Sequence, residues 1–126
     1  EERDPAQPHE SWSRGRVSFH KARFLDWGAG NSTSGVADAV TIMHVVQHIP
    51  SYELPAWLSK IQQTLSAGGV MVLATTISHR GASYFTIEGT EVSEEVFNHH
   101  AFTRDAASPL LAVRYYDARE LARLVA

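Results

Sequence analysis

The stretch ADAVTIMHVVQHIPSYELPAWLSKIQQTLSAGGVMVLAT, residues 37–75, decides the fold class of this chain. Residues 37–44 form a short apolar run rich in β-branched side chains, which is typical of a strand buried on both faces of a parallel sheet. Residues 51–65 carry apolar side chains at helical spacing, at Leu54, Leu58, Ile61 and Leu65. Residues 70–75, VMVLAT, predict a second buried strand. Strand, crossover helix and strand together predict a right-handed βαβ unit and therefore an α/β fold class.

The same stretch leaves one alternative open and makes one prediction about the end of the helix. A helical interpretation of residues 37–44 ranks second, because apolar side chains would then share a helix face, at Val36, Val40, Met43 and Val46. Gly68 and Gly69 stand between the predicted helix and the second strand. We predict that the helix ends there with a glycine C-cap.

The rest of the chain carries weaker signals. Residues 16–27, RVSFHKARFLDW, predict a strand followed by a loop. Residues 77–113 look irregular, and the aromatic side chains in and after them either line a substrate pocket or fill a core, at Tyr84, Phe85, Phe97, Tyr115 and Tyr116. Asp117 is predicted to cap a final helix, with Glu120 completing a capping box.

Composition limits the size and the class of the protein. The 126 residues, 44% of them hydrophobic, suit one small domain at residues 16–126, preceded by a flexible segment at residues 1–15 that is rich in charge, Pro and Ser. The net charge of -3 does not create the basic field that nucleic-acid binding needs, so a nucleic-acid partner is not expected. There is no cysteine, no signal-like start and no apolar run of about 18 residues. We therefore expect a cytoplasmic protein with no membrane partner.

Residues 37–75 resemble the central segment of class I S-adenosylmethionine-dependent methyltransferases. Asp38 begins the matching strand, His44 ends it, and Leu65 with Gly68 and Gly69 matches the family's Leu-x-x-Gly-Gly turn before its next strand. The terminal YYDARELARLVA is similar to the family's following helix. The resemblance implies a partial Rossmann-like methyltransferase fold, with a mainly parallel sheet and flanking helices. It also implies an enzyme that transfers a methyl group from S-adenosylmethionine to a small-molecule acceptor.

The resemblance also implies the site residues. Arg23 and Phe24 fall where the family binds the adenine of the cofactor, and Met43 and His44 fall where it binds the methionine part. Arg23 stands in place of the family's usual Asp and has only hydrogen-bond donors, so it cannot accept from the adenine amino group, which leaves packing by Phe24. His48 is the catalytic candidate, either orienting the acceptor or taking its proton. The alternative is that His48 caps the loop before Pro50.

A metal site is not predicted from the paired histidines. His44 and His48 stand four residues apart, as two zinc-binding histidines of a protease helix do. The residue after His44 is Val45, where such a protease would carry its catalytic Glu. We therefore expect no metal.

The stretch FLDWGAGN, residues 24–31, admits two interpretations. It is spelled like a glycine-rich cofactor loop after a first strand, or it is the end of the family's third strand followed by a plain loop. In the family, about 60 residues in two βαβ units of about 30 residues separate the cofactor loop from the strand that Asp38 matches. Here Gly30 and Asp38 are nearly adjacent, which favours the third strand.

That interpretation leaves the strand before residue 24 without its family neighbour. Either an N-terminal half is missing from this chain, or residues 17–27 pair with the strand that begins at Asp38, because an unpaired strand edge is a liability in water. The alternative function follows from the first case. The chain would be a non-catalytic, methyltransferase-like module that completes its fold by pairing with another chain.

Overall fold

The computed structural model describes residues 10–28, 33–103 and 110–126. At its centre, strands β3 (Ala37–Met43) and β4 (Leu65–Ala74) lie parallel and are connected through helix α1 (Leu54–Thr64). Their register runs without a break from Ala39 opposite Val70 to Met43 opposite Ala74. The predicted strand–helix–strand order is therefore confirmed, and the helical alternative for residues 37–44 is wrong.

Helix α1 ends at Thr64, before the two glycines. Leu65 is already extended, with ψ at 137°, and it pairs with Ala37 and packs against the core. The register then shifts, so that residues 66–69 interrupt β4, and Gly68 adopts a φ of +77° within this interruption. The predicted glycine C-cap is wrong, because the chain leaves the helix at Leu65 to pair with Ala37, before it reaches the glycines.

The other strands are antiparallel. β1 (Glu10–Arg14) and β2 (Val17–Lys21) form a hairpin, and β5 (Tyr84–Ile87), β6 (Thr90–Val92) and β7 (Ala112–Tyr115) form a sheet in the order β6-β5-β7. Among the described strands, β3 and β4 are the only parallel pair. The fold is thus mixed α/β, and the expectation of a mainly parallel sheet is wrong. β2 pairs with β1 and not with β3, so the proposed pairing of residues 17–27 with the Asp38 strand is wrong too.

Residues 77–113 are not irregular, contrary to the prediction. They contain β5, β6, helix α2 (Glu94–Thr103) and the start of β7. A tight turn joins β5 to β6, in which Glu88 and Gly89 have φ values of 49° and 80°. Positive φ at both central residues is the geometry that matches the twist of a two-residue hairpin.

Helix α3 (Ala118–Val125) begins directly after Asp117, the predicted N-cap residue. The side chain of Asp117 accepts a hydrogen bond from the Glu120 backbone N–H at 3.2 Å. The Glu120 carboxylate, however, does not complete a local box. It accepts a hydrogen bond from the Ser83 hydroxyl at 2.5 Å and pairs with the Arg114 guanidinium of β7. The first turn of α3 is therefore held to β7.

Two clusters of buried side chains form the core. The larger one lies between the parallel pair, α1 and Tyr116, and consists of Ile42, Val46, Ile49, Leu54, Ile61 and Tyr116. The smaller one lies under the antiparallel sheet and consists of Phe85, Phe97 and Ala112. Tyr116 and Phe97 are fully buried. Phe85, Phe97 and Tyr116 are therefore core residues, whereas Tyr84 stacks on Tyr115 with ring centroids 4.5 Å apart.

Tyr116 links the end of β7 to the parallel unit. Its hydroxyl donates to the Val46 carbonyl at 3.2 Å, and its backbone N–H donates to the Thr76 carbonyl at 3.0 Å. Burial raises the pKa of the Tyr116 phenol above its ordinary value of 10.0, while Arg114 opposes this shift and Glu120 adds to it. The native state therefore holds this proton more tightly than the unfolded chain does.

The raised pKa of Tyr116 predicts a loss of stability in alkali. The contribution is fully present below the unfolded pKa of about 10 and is lost as pH rises through the folded pKa. We expect the free energy of unfolding to fall above about pH 10, by up to about 1.4 kcal/mol per pH unit for this one proton. Urea unfolding at a series of pH values measures the slope. A Tyr116→Phe variant with the same alkaline slope as the parent would show that other groups cause it.

Candidate functional site

A cavity of about 660 Å³ lies beside the carboxyl end of β3. Its volume is within the range of about 300–1,000 Å³ that is usual for small-molecule sites. It is lined by Arg23, Val45, His48, Ile49, Pro50, Tyr52, Glu53, Trp57, His100 and Ala112. The fold thus brings together two of the predicted site residues, Arg23 and His48, and combines them with aromatic walls and a carboxylate.

His48 ends the short 3-10 helix Val46–His48, which follows β3. Its Nδ1 lies 2.7 Å from the Ala112 carbonyl oxygen of β7. Because a carbonyl only accepts, Nδ1 carries the proton and donates, which leaves Nε2 of the neutral ring with a lone pair. The observed bond runs to β7 and not to the loop before Pro50. The side chain is therefore held in one tautomer, with a basic nitrogen opposite the anchored one.

Arg23 and Trp57 are both held by one carboxylate at the start of α1. The Glu53 Oε1 atom accepts from Arg23 Nη2 at 3.1 Å and from Trp57 Nε1 at 3.4 Å. Arg23 itself is exposed, whereas Glu53 is three-quarters buried, with 23% of its side chain accessible. Glu53 thereby positions a cation and an aromatic ring at the same cavity.

Phe24 lies next to this group but does not line the cavity. Its ring is 4.7 Å from that of Trp57, and Lys60 Nζ stands 5.1 Å from its centroid. Lys60 also donates to the backbone carbonyls of Phe24, at 2.5 Å, and of Trp27. The turn at residues 24–27 is therefore fastened to α1, with Phe24 half-buried.

The stretch FLDWGAGN is described only as far as Gly28, and residues 29–32 lie outside the described part. Gly28 has a φ of +76°, and a Cβ placed on it would lie 2.5 Å from the Thr33 side chain. The tight turn therefore requires glycine at this position, whether or not a ligand approaches. This geometry is compatible both with a cofactor loop and with a plain loop after a third strand.

Met43 and His44 lie at the end of β3, and both are exposed. His44 has a φ of +58°, and its N–H donates to the Ala74 carbonyl at 2.8 Å, extending the pairing with β4 by one residue. A positive φ is unusual for a residue other than glycine and is found often at functional sites. Neither residue lines the cavity that holds Arg23 and His48. The predicted cofactor residues thus fall into two groups.

Sequence reasoning missed several side chains of this cavity, namely Tyr52, Glu53 and His100. Glu53 and Trp57 stand four residues apart, a spacing that places two helical side chains side by side and could have indicated their contact. His100 comes from α2, and its Nε2 lies 3.2 Å from the Leu110 carbonyl. No local pattern connects it to His48, because the two residues are far apart in the sequence and line the same cavity only in the folded chain.

Comparisons with known proteins find no match: no family model, no curated protein and no solved structure is significantly similar to this chain. Within residues 10–28, 33–103 and 110–126, no helix is long and apolar enough to cross a bilayer. In that same part of the chain, no three His, Asp or Glu side chains are grouped so that they could hold a metal ion. The site therefore has to be interpreted from its own chemistry.

Proposed function

We propose that this chain is a class I S-adenosylmethionine-dependent methyltransferase that acts on a small-molecule acceptor. The observation that carries the proposal is the parallel pairing of β3 with β4. His44 and His48 follow the carboxyl end of β3 in this pair. Ligands of α/β proteins bind outside the carboxyl ends of parallel strands. The cavity at that end is then the acceptor site.

The residues present suit only part of the cofactor. Met43 and His44 are exposed at the strand end and can contact its methionine part, and Phe24 keeps some ring surface for its base. Arg23 offers no acceptor to the adenine amino group and is paired with Glu53. When bound, the cofactor supplies an electrophilic methyl group on a sulfonium. The chain's own part is to hold the acceptor in line and to exclude competing orientations.

In this proposal, His48 takes the proton that the acceptor loses. Its Nδ1–H is held by the Ala112 carbonyl, so Nε2 is the basic atom, and it needs no tautomer change before it accepts. The Ala112 carbonyl also stabilises the imidazolium that forms, because Nδ1–H becomes a charged donor. Trp57 and Tyr52 provide the walls against which a flat or apolar acceptor can rest.

A methyl-transfer assay tests this role. We expect His48→Ala to lower the rate of transfer from radiolabelled S-adenosylmethionine, at millimolar cofactor, by about a hundredfold, the lower end of general-base effects. His79→Ala changes an exposed histidine that does not line the cavity and should leave the rate unchanged. Equal rates in the parent and in His48→Ala would remove His48 from the mechanism. Absence of transfer to every member of a panel of phenols, amines and carboxylic acids would count against the function itself.

A second candidate function rests on the outer face of the parallel pair. Val70, Val72 and Met43 are 57%, 50% and 56% exposed, and they lie on the face opposite the core. Exposed apolar sheet surface of this kind marks interaction sites. In this case the chain is a non-catalytic, methyltransferase-like module that completes its fold by pairing with another chain.

Light scattering after size separation distinguishes the two candidate functions in the case where the partner of the module is a second copy of this chain. If the module pairs with itself, the parent is a dimer, Val72→Lys is a monomer, and Val96→Lys on the exposed surface of α2 remains a dimer. A parent that stays a stable monomer at high concentration contradicts self-pairing. Methyl transfer by that monomer would remove the non-catalytic candidate.

A further inference from the structure

Arg23 and Glu53 form an ion pair in the lining of the cavity that contains His48. The pair uses one polar atom of each side chain, because Arg23 Nη2 lies 3.1 Å from Glu53 Oε1. Trp57 Nε1 donates to the same carboxylate oxygen at 3.4 Å. One oxygen of Glu53 thus serves two donors, and the two charged side chains together add no net charge to the cavity.

Both members of the pair keep polar atoms that the fold does not use. In the part of the chain that the structure describes, Arg23 Nε and Nη1 have no hydrogen-bond partner, and neither does Glu53 Oε2. These atoms are accessible, since the one buried polar side-chain atom without a partner among the described residues belongs to Arg114. The side chains of Arg23 and Glu53 are 69% and 23% exposed. A ligand can therefore bind to this pair without breaking it.

The unused atoms favour a ligand that carries charges of both signs. Arg23 Nε and Nη1 are donors for a carboxylate, and Glu53 Oε2 is an acceptor for an ammonium group. A ligand with a carboxylate alone would place it beside Glu53, and a ligand with an ammonium group alone would place it beside Arg23, so each would meet a like charge. A zwitterion meets an opposite charge at both of its ends. The head group of an α-amino acid has this chemistry.

The rest of the cavity suits an aromatic side chain with a hydroxyl group. Trp57 and Tyr52 provide aromatic walls, and His48 Nε2 can accept from a hydroxyl. We propose that this cavity binds an α-amino acid with a hydroxylated aromatic side chain, such as tyrosine. Its head group lies on Arg23 and Glu53, and its hydroxyl lies at His48.

The role of this amino acid as the methyl acceptor rests on the proposed function. In that reaction the phenolic oxygen forms the bond to the methyl carbon, and its proton goes to His48 Nε2. The electron pair of the broken carbon–sulfur bond stays on sulfur. Binding of the amino acid itself needs no cofactor, so it can be measured separately from methyl transfer.

An NMR titration with L-tyrosine, without cofactor and below its solubility limit, tests the proposal. The indole Nε1–H signal of Trp57 reports on the site, because this group donates to the carboxylate of the ion pair. We expect L-tyrosine to shift this signal in a saturable way. Tyramine lacks the carboxylate and 3-(4-hydroxyphenyl)propanoate lacks the ammonium group, so each should bind about tenfold more weakly, for the loss of one charged contact. Equal binding of all three compounds would overturn the proposal.

Two variants assign each charge of the ligand to its partner. Arg23→Gln should weaken the binding of tyrosine and of the propanoate, but not that of tyramine. Glu53→Gln keeps an acceptor for Trp57, and it should weaken the binding of tyrosine and of tyramine, but not that of the propanoate. Arg123→Gln changes an exposed arginine outside the cavity and should leave all three affinities unchanged. Losses of affinity that do not follow the missing charge would contradict the site.

Three further outcomes separate this site from the proposed function. Tyrosine that binds with the expected pattern but is not methylated supports the amino-acid site and counts against the methyltransferase. Methylation of other phenols with no preference for tyrosine supports the methyltransferase and overturns the amino-acid site. A Trp57 shift that S-adenosylhomocysteine causes and tyrosine does not would assign Arg23 and Glu53 to the amino-acid part of the cofactor, and it would also refute the proposal.

Discussion

Tyr116→Ala is expected to lower the free energy of unfolding by about 4 kcal/mol, within the range of about 3–5 kcal/mol for truncating a buried aromatic side chain. Tyr116 is fully buried in the larger core cluster and contacts the parallel unit through Val46 and Thr76. The Cζ atom of the Arg114 guanidinium lies 4.4 Å from the centroid of the Tyr116 ring. Removing the ring therefore opens a cavity where β7 meets β3 and α1. Urea unfolding followed by circular dichroism measures the loss.

The matched control is Tyr116→Phe, which keeps the ring and removes only the hydroxyl. It should cost about 1 kcal/mol, the usual net worth of one hydrogen bond, here the bond to the Val46 carbonyl. If Tyr116→Ala cost no more than Tyr116→Phe, the ring would not be holding the two parts of the fold together.

Glu120→Ala is expected to cost about 3 kcal/mol, the lower end of the effect of removing one partner from a buried ion pair. Arg114 is 6% exposed, and it would then keep its charge without the carboxylate that faces it. The lower end applies because Glu120 is 33% exposed, which lets solvent screen part of the loss. The variant also loses the hydrogen bond from Ser83. Urea unfolding at neutral pH gives the free-energy change.

A double-mutant cycle separates the stranded charge from the lost contacts. Arg114→Met in the Glu120→Ala background removes the unpaired charge while keeping an apolar stem, so stability should rise above that of Glu120→Ala alone. A double variant that is less stable than Glu120→Ala would show that the contacts of Arg114 with the Phe85 and Tyr116 rings and with Ser51 stabilise the fold by more than its unpaired charge destabilises it.

The parts of the fold that follow from local periodicity were predictable. The apolar run at residues 37–44 and the helical spacing of Leu54, Leu58 and Ile61 lead directly to β3 and α1, and Asp117 marks the start of α3. These signals lie within one element, where spacing alone decides which face is buried. The parallel partner of β3 followed because a crossover helix requires it.

The antiparallel half could not be predicted in the same way. β5 and β6 are four and three residues long, too short for alternation to stand out. Their turn is Glu88-Gly89, and only the glycine carries a local signal for positive φ. The end of α1 was misplaced because Leu65 pairs with Ala37 as the first residue of β4, a tertiary pairing that the glycines after it do not signal.

In the candidate site, too, individual residues were predicted from the sequence, whereas their hydrogen-bond partners were not. His48 was predicted as a site residue from its place after a predicted strand. Its hydrogen-bond partner, the Ala112 carbonyl, is 64 residues away and belongs to a strand that the sequence does not reveal. Arg23 was predicted from the position that it matches in the methyltransferase family. Its pairing with Glu53 depends on how the turn at residues 24–27 folds onto α1. Pairings set by tertiary packing leave no local pattern to detect.

The central claim is that cofactor contacts lie at the carboxyl end of β3, and a titration with S-adenosylhomocysteine followed by backbone NMR tests it most directly. We predict saturable shifts at the amides of Met43 and His44, and a smaller shift at Phe24, with a weak dissociation constant of about 1 mM, or about -4 kcal/mol. The affinity is weak because Arg23 offers no acceptor and few oriented polar groups surround the strand end. Micromolar binding centred on Gly28, or no shift at Met43 and His44 at saturating ligand, would contradict it.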